Sequence, residues 1–157
     1  MSTLEVKAIQ APTGYDLQMP AGHILQTIQA TTGTQVVSSS STYADTGVTA
    51  SITPSATSSK ILVTVSQMGL DKRTNNAYMD LITLRGSTEI HSASNQLLYT
   101  ADTGNSSGAC TWSYLDSPSS TSSVTYKTQF KTDTNSAQVS VQWNQATSTI
   151  ILQEVAG

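Results

Sequence analysis

The sequence predicts an all-β protein: a jelly-roll-like β-sandwich of about nine strands with a short extended N-terminal arm. Segments rich in β-branched and aromatic residues recur along the 157-residue chain, and clusters of Gly, Pro and Ser separate them. No window places apolar residues at the i, i+3, i+4 and i+7 spacing of an amphipathic helix. Repeated short strands joined by turns are typical of a sandwich or a barrel.

The clearest strand is predicted at residues 124–131, where the side chains alternate in character. Successive side chains leave a strand on opposite faces, so one face is predicted to be buried and the other wet. The buried face holds Val124, Tyr126, Thr128 and Phe130, and the wet face holds Thr125, Lys127, Gln129 and Lys131. Pro118, in the linker before this strand, lacks a ladder donor. We therefore expect a connection at a sheet edge or between sheets, with no two-residue hairpin.

The remaining strands are predicted on both sides of this one. Residues 60–68, with the sequence KILVTVSQM, form the most apolar segment, which favours a central strand. Turn residues such as Pro54, Gly86 and Gly104 separate the segments. The other predicted strands are residues 23–30, 47–53, 77–85, 88–91, 96–100, 110–115, 138–143 and 149–155.

The first twenty residues differ from the rest, so we divide the chain into an arm (residues 1–20) and a sandwich (residues 21–157). The arm alternates apolar and polar residues but is too short to bury its own apolar side chains. It is expected to dock on a neighbouring subunit, on another protein or on its own domain. The candidate anchoring residues are Leu4, Val6, Ile9, Tyr15 and Leu17.

The composition narrows the classes of partner. Charged residues make up 11% of the chain, against about 25% in an average domain. Seven basic residues against ten acidic ones, with no basic run, argue against nucleic acid and anionic membranes as partners. The start, MSTLEVKAIQ, lacks the pattern of a secretory signal, and no apolar stretch approaches the length of a membrane span. Synthesis in a cytoplasm is therefore expected. The lone Cys110 is expected to pack in the fold.

The sequence offers no catalytic or metal-binding pattern, so we predict no enzyme, no metal and no cofactor. Its two histidines, His23 and His91, lie in no recognisable motif. Glycoside cleavage needs two paired carboxylates, but the aspartates fall mostly at predicted strand ends or turns, where Asp caps backbone donors. These aspartates are Asp45, Asp71, Asp80, Asp102, Asp116 and Asp133.

Two predicted loops are candidates for contact with a receptor. Residues 69–76 concentrate Asp71, Lys72 and Arg73, and residues 92–108 include Tyr99. Long loops on a rigid β scaffold often bind partners. A carbohydrate-binding module would expose an aromatic platform, whereas Trp112 and Trp143 lie within strand patterns and are predicted to be buried.

The order of several segments resembles small virion proteins of tailed bacteriophages, especially marine ones: fibre, spike-tip and related appendage domains. The segments are PAGHILQTIQ, TYADTGVTASITPSATSSKILVTVSQ, LRGSTEI, YLDSP followed by YKTQFK, and STIILQEVAG. They span nearly everything from residue 20 to the end. None of them is a catalytic signature.

The resemblance implies a trimeric jelly roll displayed on a virus particle. We therefore expect a non-enzymatic virion structural protein on the exterior of a phage particle, anchored to other virion proteins through residues 1–20. Its surface target would be a host glycan or protein. The short arm, without shaft repeats, favours a short appendage over a long fibre. Capsid decoration and a cellular carbohydrate-binding module remain alternatives, and a glycan-degrading enzyme is a third.

Overall fold

The computed structural model describes residues 13, 19–101, 104–133 and 137–157, but not the side chains of residues 93–95. Among these residues, no helix is long and apolar enough to cross a membrane. A 3-10 turn (Trp143–Gln145) lies between the last two strands. The strands are β1 (Ile24–Thr32), β2 (Val36–Ser38), β3 (Ala44–Ile52), β4 (Lys60–Lys72), β5 (Met79–Arg85), β6 (Thr88–Leu97), β7 (Ser106–Asp116), β8 (Val124–Thr132), β9 (Val139–Val141) and β10 (Ser148–Val155).

These strands form two antiparallel sheets. The first sheet has the order β1-β10-β4-β9-β2, with β7 also paired to β4, and the second has the order β3-β8-β5-β6. In the first sheet, β10 and β9 pair with successive parts of β4, and β1 and β2 pair with β10 and β9. Thus β1 and β2 share one strand position, and β9 and β10 share another. The ten strands therefore occupy eight positions.

The winding of these eight positions is that of a jelly roll. Numbered in chain order, the first sheet reads 1-8-3-6 and the second reads 2-7-4-5. Every connection from position 1 to position 4 and from position 5 to position 8 crosses between sheets. Two sheets of four positions wound in this way match the eight-stranded double-sheet jelly roll. The predicted all-β jelly-roll-like sandwich is thereby confirmed.

The core lies between the inner faces of the two sheets. In β8, the side chains of Tyr126, Thr128 and Phe130 are fully buried while their neighbours face outward, as the alternation predicts. In β4, Ile61, Val63 and Val65 are also fully buried, and the strand is flanked by β10 and β7. The central position predicted for residues 60–68 is confirmed. Other core residues are Val48, Ile52, Leu81, Trp112, Ile150 and Leu152.

The linker that contains Pro118 runs from β7 in the first sheet to β8 in the second. Of the two connections predicted, one at a sheet edge and one between sheets, the structure has the second. Trp112 of β7 spans the interior, because its indole N–H donates to the hydroxyl of Thr83 on β5 at 2.9 Å. The contact satisfies the indole's polar group inside the core.

Several strand boundaries differ from the prediction, and two of the differences move Tyr99 and Trp143 out of the expected strands. Residues 88–91 and 96–100 were expected to be separate strands, but β6 runs unbroken from Thr88 to Leu97 because β5 pairs along it through several register shifts. Tyr99 therefore lies after the strand. At the other end, the strand expected at 138–143 stops at Val141, because Gln142 adopts a left-handed conformation with φ 53°.

Candidate functional site

The two loops predicted to contact a receptor meet at one end of the sandwich. The backbone N–H of Asn76 donates to the carbonyl of Thr100 at 2.9 Å. The hydroxyl of Tyr99 donates to Oδ1 of Asn76 at 3.4 Å. Sequence spacing alone does not place these loops side by side, since more than twenty residues separate Asn76 from Tyr99.

The first loop is shorter than predicted, because β4 continues through Lys72. Asp71 is 2% exposed and Lys72 is fully buried. The ammonium group of Lys72 donates to Oγ1 of Thr100 at 2.6 Å, which satisfies the buried charge from the second loop. Neither side chain is presented to solvent. The prediction that Asp71 and Lys72 lie in an exposed loop is therefore wrong, because both belong to β4. Arg73 and Tyr99 remain the outward-facing members of the predicted group, and receptor contact by them stays a prediction.

Arg73 is held in place on two sides. Its Nε donates to Oδ2 of Asp71 at 2.6 Å, and the other carboxylate oxygen of Asp71 accepts from the hydroxyl of Ser107 at 2.7 Å. The guanidinium carbon lies 4.3 Å from the centre of the Trp143 ring. Charge-assisted hydrogen bonds and cation–π contacts both restrict the rotamers of a long side chain. The guanidinium is therefore fixed against the indole.

Trp143 is exposed, contrary to the prediction that it is buried in a strand. Its exposed fraction is 42%. It lies in a turn of residues 142–146, here called the Trp143 turn. Three non-glycine residues in it adopt positive φ: Gln142 (53°), Asn144 (54°) and Gln145 (60°). Each such residue costs about 1–2 kcal/mol relative to the right-handed region, so the surrounding structure must impose this conformation.

A buried polar network supports the turn from below. Nε2 of Gln67 donates to the hydroxyl of Ser148 at 3.0 Å, and Gln142, also fully buried, contacts the same hydroxyl at 3.0 Å. The side-chain amide of Gln142 is satisfied when its oxygen faces donors and its nitrogen faces acceptors. In that orientation the nitrogen donates to the backbone carbonyl of Thr46. The hydroxyl of Thr128 donates to Oε1 of Gln67 at 3.2 Å. The network thus ties the turn to both sheets.

Gly69 of β4 permits the close approach of the turn. Its φ is 59°, and a Cβ placed there would lie 2.5 Å from the backbone nitrogen of Trp143. No side chain fits in that space without moving the turn. The arrangement has no signature in the sequence, because a glycine in a predicted loop is an ordinary turn signal.

The outer faces of the two sheets differ in charge. On the second sheet, Lys127 pairs with Asp45 at 2.8 Å and Lys131 pairs with Asp80 at 3.6 Å. The hydrogen bond from Lys127 lowers the pKa of Asp45, and partial burial opposes this effect. This face has the character of a solvated surface.

The outer face of the first sheet presents hydroxyl, amide and apolar groups. Two rows cross all four strand positions without a charge, and the hydroxyls of Thr64 and Ser113 lie 3.0 Å apart within one of them. We call these rows the uncharged face. Its members are Thr27, Gln153, Leu62 and Leu115 in one row, and Gln29, Ile151, Thr64 and Ser113 in the other.

An exposed apolar group lies where the arm enters the sandwich. Met19, Ile24 and Leu25 are 43%, 51% and 38% exposed. The candidate anchoring residues Leu4, Val6, Ile9, Tyr15 and Leu17 lie outside the described residues, so their docking stays a prediction. Single exposed apolar side chains are common, so these three exposures do not by themselves define a contact surface.

The buried carboxylates serve the fold. Asp116 accepts two bonds from Nη1 of Arg85, each 2.9 Å long, and one from the hydroxyl of Tyr126 at 2.7 Å. Burial and the neighbouring Asp116 raise the pKa of Tyr126 well above its ordinary value. Glu154, which is 1% exposed, accepts from the N–H and hydroxyl of Ser55 and from the side chain of Gln26. Burial alone would raise the pKa of Glu154, but these bonds hold it at about 2.

The histidines and the cysteine among the described residues have neighbours within the fold. In the part of the chain that the structure describes, no group of three His, Cys, Asp or Glu side chains is placed to hold a metal. The ring of His91 stacks on Tyr114 at 5.4 Å, and Nδ1 of His23 lies 3.0 Å from the carbonyl of Pro20. Cys110 is half-buried against the core, and burial raises the pKa of its thiol.

The fold and these surfaces define a jelly-roll β-sandwich with an ordered loop end. The solved structures that resemble it include forms of the VP2 protein of infectious bursal disease virus. The VP2 subviral particle matches with a TM-score of 0.48 and 13% identity, covering 93% of this chain and 46% of that one. The D431N mutant of VP2, in derived T=1 particles, matches with a TM-score of 0.44 and 14% identity, covering 96% of this chain and 41% of that one. The structure of the Gx strain of the virus matches with a TM-score of 0.38 and 13% identity, covering 94% of this chain and 45% of that one.

This chain therefore spans less than half the length of the structures it matches. No protein-family model matches it, and no curated sequence does either. With TM-scores below 0.5 and identities of 13–14%, these matches carry no argument about the fold or the function of this chain.

Proposed function

We propose that this chain is a non-enzymatic structural protein of a virus particle, displayed on the exterior as a homotrimeric appendage that contributes to host-surface attachment. The observation that carries the proposal is the strand order of the two sheets. Eight-stranded jelly rolls are typical of viral capsid and lectin domains. The resemblance of the sequence to phage appendage proteins favours the virion role.

The packing of the described interior agrees with a structural role. Tyr126, Phe130 and Leu81 are fully buried and fill the space between the sheets. A depression on the outer surface beside Asp45 and Lys127 has a volume of about 100 Å³. Pockets that bind small molecules are commonly about 300–1,000 Å³, so this one is too small for a substrate.

The uncharged face supports the homotrimer. Four strand positions at about 4.8 Å spacing and two rows about 7 Å apart make a patch of about 20 by 13 Å. Each partner buries about 800 Å² in an ordinary stable interface, so the uncharged face would form the centre of the contact and not the whole of it. Because the opposite face is charged, we expect copies of the chain to meet through the uncharged face, and closed symmetry then buries it in every copy.

Sedimentation equilibrium tests this arrangement. We expect a mass three times the chain mass of 16.6 kDa. Ile151→Lys places a charge in the middle of the uncharged face and is expected to dissociate the trimer. Thr49→Lys, on the outer face of the second sheet, is the matched control and should leave the trimer intact. A monomer at micromolar concentration, or equal behaviour of the two variants, contradicts the proposal.

The arm is proposed to join the trimer to other virion proteins. Docking a few apolar side chains contributes several kcal/mol at about 25 cal/mol per Å², before the cost of ordering the chain. Three arms on one trimer reinforce each other through effective concentration. Deleting residues 1–20 should therefore leave a folded trimer that no longer joins the particle. Normal incorporation of the truncated chain would place the anchor on the sandwich instead.

An image of the particle that carries this chain distinguishes an appendage from a decoration protein. An appendage occupies a few defined positions, whereas a decoration protein follows the lattice of the head shell. The appendage proposal expects density at few sites, with the loop end pointing outward. Density at every lattice position would favour the capsid-decoration alternative.

A further inference from the structure

We propose that the Trp143 turn is a binding site for a neutral sugar ring, with the indole of Trp143 as the stacking platform and the guanidinium of Arg73 as its support. The inference gives a ligand class to the attachment role and rests on that role for its biological setting. The site itself is argued from the geometry of the turn.

The first observation is the exposure of the indole. Trp143 is 42% exposed, whereas Trp112 is 9% exposed and buried between the sheets. Trp presents a large apolar face with few rotatable bonds. A pyranose ring has a face of C–H groups that stacks on such a surface while its hydroxyls stay at the rim.

The second observation is the rigidity of the platform. Gln142, Asn144 and Gln145 hold left-handed conformations, and the buried side chains of Gln67 and Ser148 fix the turn from inside. Strained backbone that the surroundings impose is found preferentially at ligand clamps. A platform that is ordered before binding avoids the entropic cost of ordering it.

The third observation is the set of polar groups around the ring. The guanidinium of Arg73 lies over the ring, with its carbon 4.3 Å from the ring centre, and its Nε donates to Asp71. It therefore covers and supports one face of the indole, and the sugar is proposed to stack on the other face. Asn144 and Gln145, which follow Trp143 in the turn, are exposed, and their amides offer both donors and acceptors.

The local charge favours a neutral sugar. The carboxylate of Asp71 lies 2.6 Å from Nε of Arg73 and compensates the positive charge. Asp71 itself is buried and also accepts from Ser107, so it does not face a ligand. An acidic sugar would therefore gain little from Arg73, while a neutral ring loses no charge hydration on binding.

The test is binding of the methyl glycosides of glucose, galactose, mannose and N-acetylglucosamine to the purified full chain, with N-acetylneuraminic acid as the acidic comparison. Saturation-transfer NMR and tryptophan fluorescence give the readouts. A single stacking site is expected to bind at least one neutral glycoside with a Kd of about 1 mM. Trp143→Ala should weaken that binding at least about tenfold, and Arg73→Lys about fivefold. Trp143→Phe should retain part of the affinity.

Tyr114→Ala is the matched control, because Tyr114 is an aromatic residue of similar exposure (37%) on β7, away from the turn. It should leave sugar binding unchanged. Circular dichroism and sedimentation of each variant confirm that fold and assembly are kept. Binding of none of the neutral glycosides, or equal binding by the Trp143→Ala and unmodified chains, overturns the proposal. Preference for the acidic sugar overturns it too.

A loss of trimer in Trp143→Ala, with no sugar binding by the unmodified chain, would assign the indole to a subunit contact and also overturn the proposal. These assays need no virus particle. A chain that binds no sugar can still join particles, and a chain that binds sugar can prove to have no virion role. The two proposals therefore fail independently.

Discussion

Replacing Glu154 by Gln should remove a pH-dependent part of the stability of this fold. Glu154 lies on β10 and is 1% exposed. Its carboxylate accepts from the N–H of Ser55 at 2.7 Å and from Nε2 of Gln26 at 2.6 Å. These bonds join β10 to β1 and to the segment after β3. An amide at this position keeps the shape but turns one acceptor into a donor that faces other donors.

The magnitude follows from the pKa. The ordinary value of 4.5 falls to about 2 in the folded chain. At about 1.4 kcal/mol per pKa unit, the ionised carboxylate contributes about 3 kcal/mol. Because the folded-state pKa lies below the ordinary value, this contribution is fully present above pH 4.5 and is lost as the pH falls toward about 2.

Urea unfolding of the unmodified chain and of Glu154→Gln, measured from about pH 7 to about pH 2.5, tests this expectation. The other carboxylates titrate in both proteins, so the difference between their free energies of unfolding isolates Glu154. We expect that difference to be largest at neutral pH and to shrink by about 2–3 kcal/mol at the acidic end. A difference that stays constant with pH would refute the role of the ionised carboxylate.

Two further predictions concern the site and the core. Gly69→Ala should destabilise the fold by about 1–3 kcal/mol more than Gly86→Ala. Both glycines have φ 59°, so strain cancels in the comparison, but a Cβ at Gly69 meets the Trp143 backbone while one at Gly86 meets nothing within 4 Å. Equal losses of stability in thermal unfolding would contradict the close approach. Asp116→Asn should lower the free energy of unfolding by about 1–3 kcal/mol, because it weakens the hydrogen bonds from Arg85 and Tyr126. Urea unfolding measures this loss, and an unchanged midpoint would argue against the ion pair between Arg85 and Asp116.

The sequence alone was sufficient for the fold class and for most of the core. The alternation in residues 124–131 is a local property, since successive side chains of a strand point to opposite faces whatever lies beside it. It correctly assigned Tyr126 and Phe130 to the interior. The apolar run at residues 60–68 indicated a central strand for the same reason, because it leaves no polar face for solvent.

Pro118 also acted locally, because its missing N–H excludes an inner ladder position. One residue and its neighbours were therefore enough to predict a connection at a sheet edge or between sheets. The strand order 1-8-3-6 and 2-7-4-5 could not be predicted locally, because it depends on pairings between strands far apart in the chain, such as β1 with β10.

The candidate site was decided by tertiary structure. Lys72 is buried because Thr100, from another loop, accepts from its ammonium group, and no local pattern announces that partner. Trp143 sits in an apparent strand pattern but is exposed, because contacts with Gln67 and Ser148 stabilise a left-handed turn that local propensity disfavours. Local alternation determines which way a side chain points within a strand, whereas distant contacts determine where that strand ends and what its last residue meets.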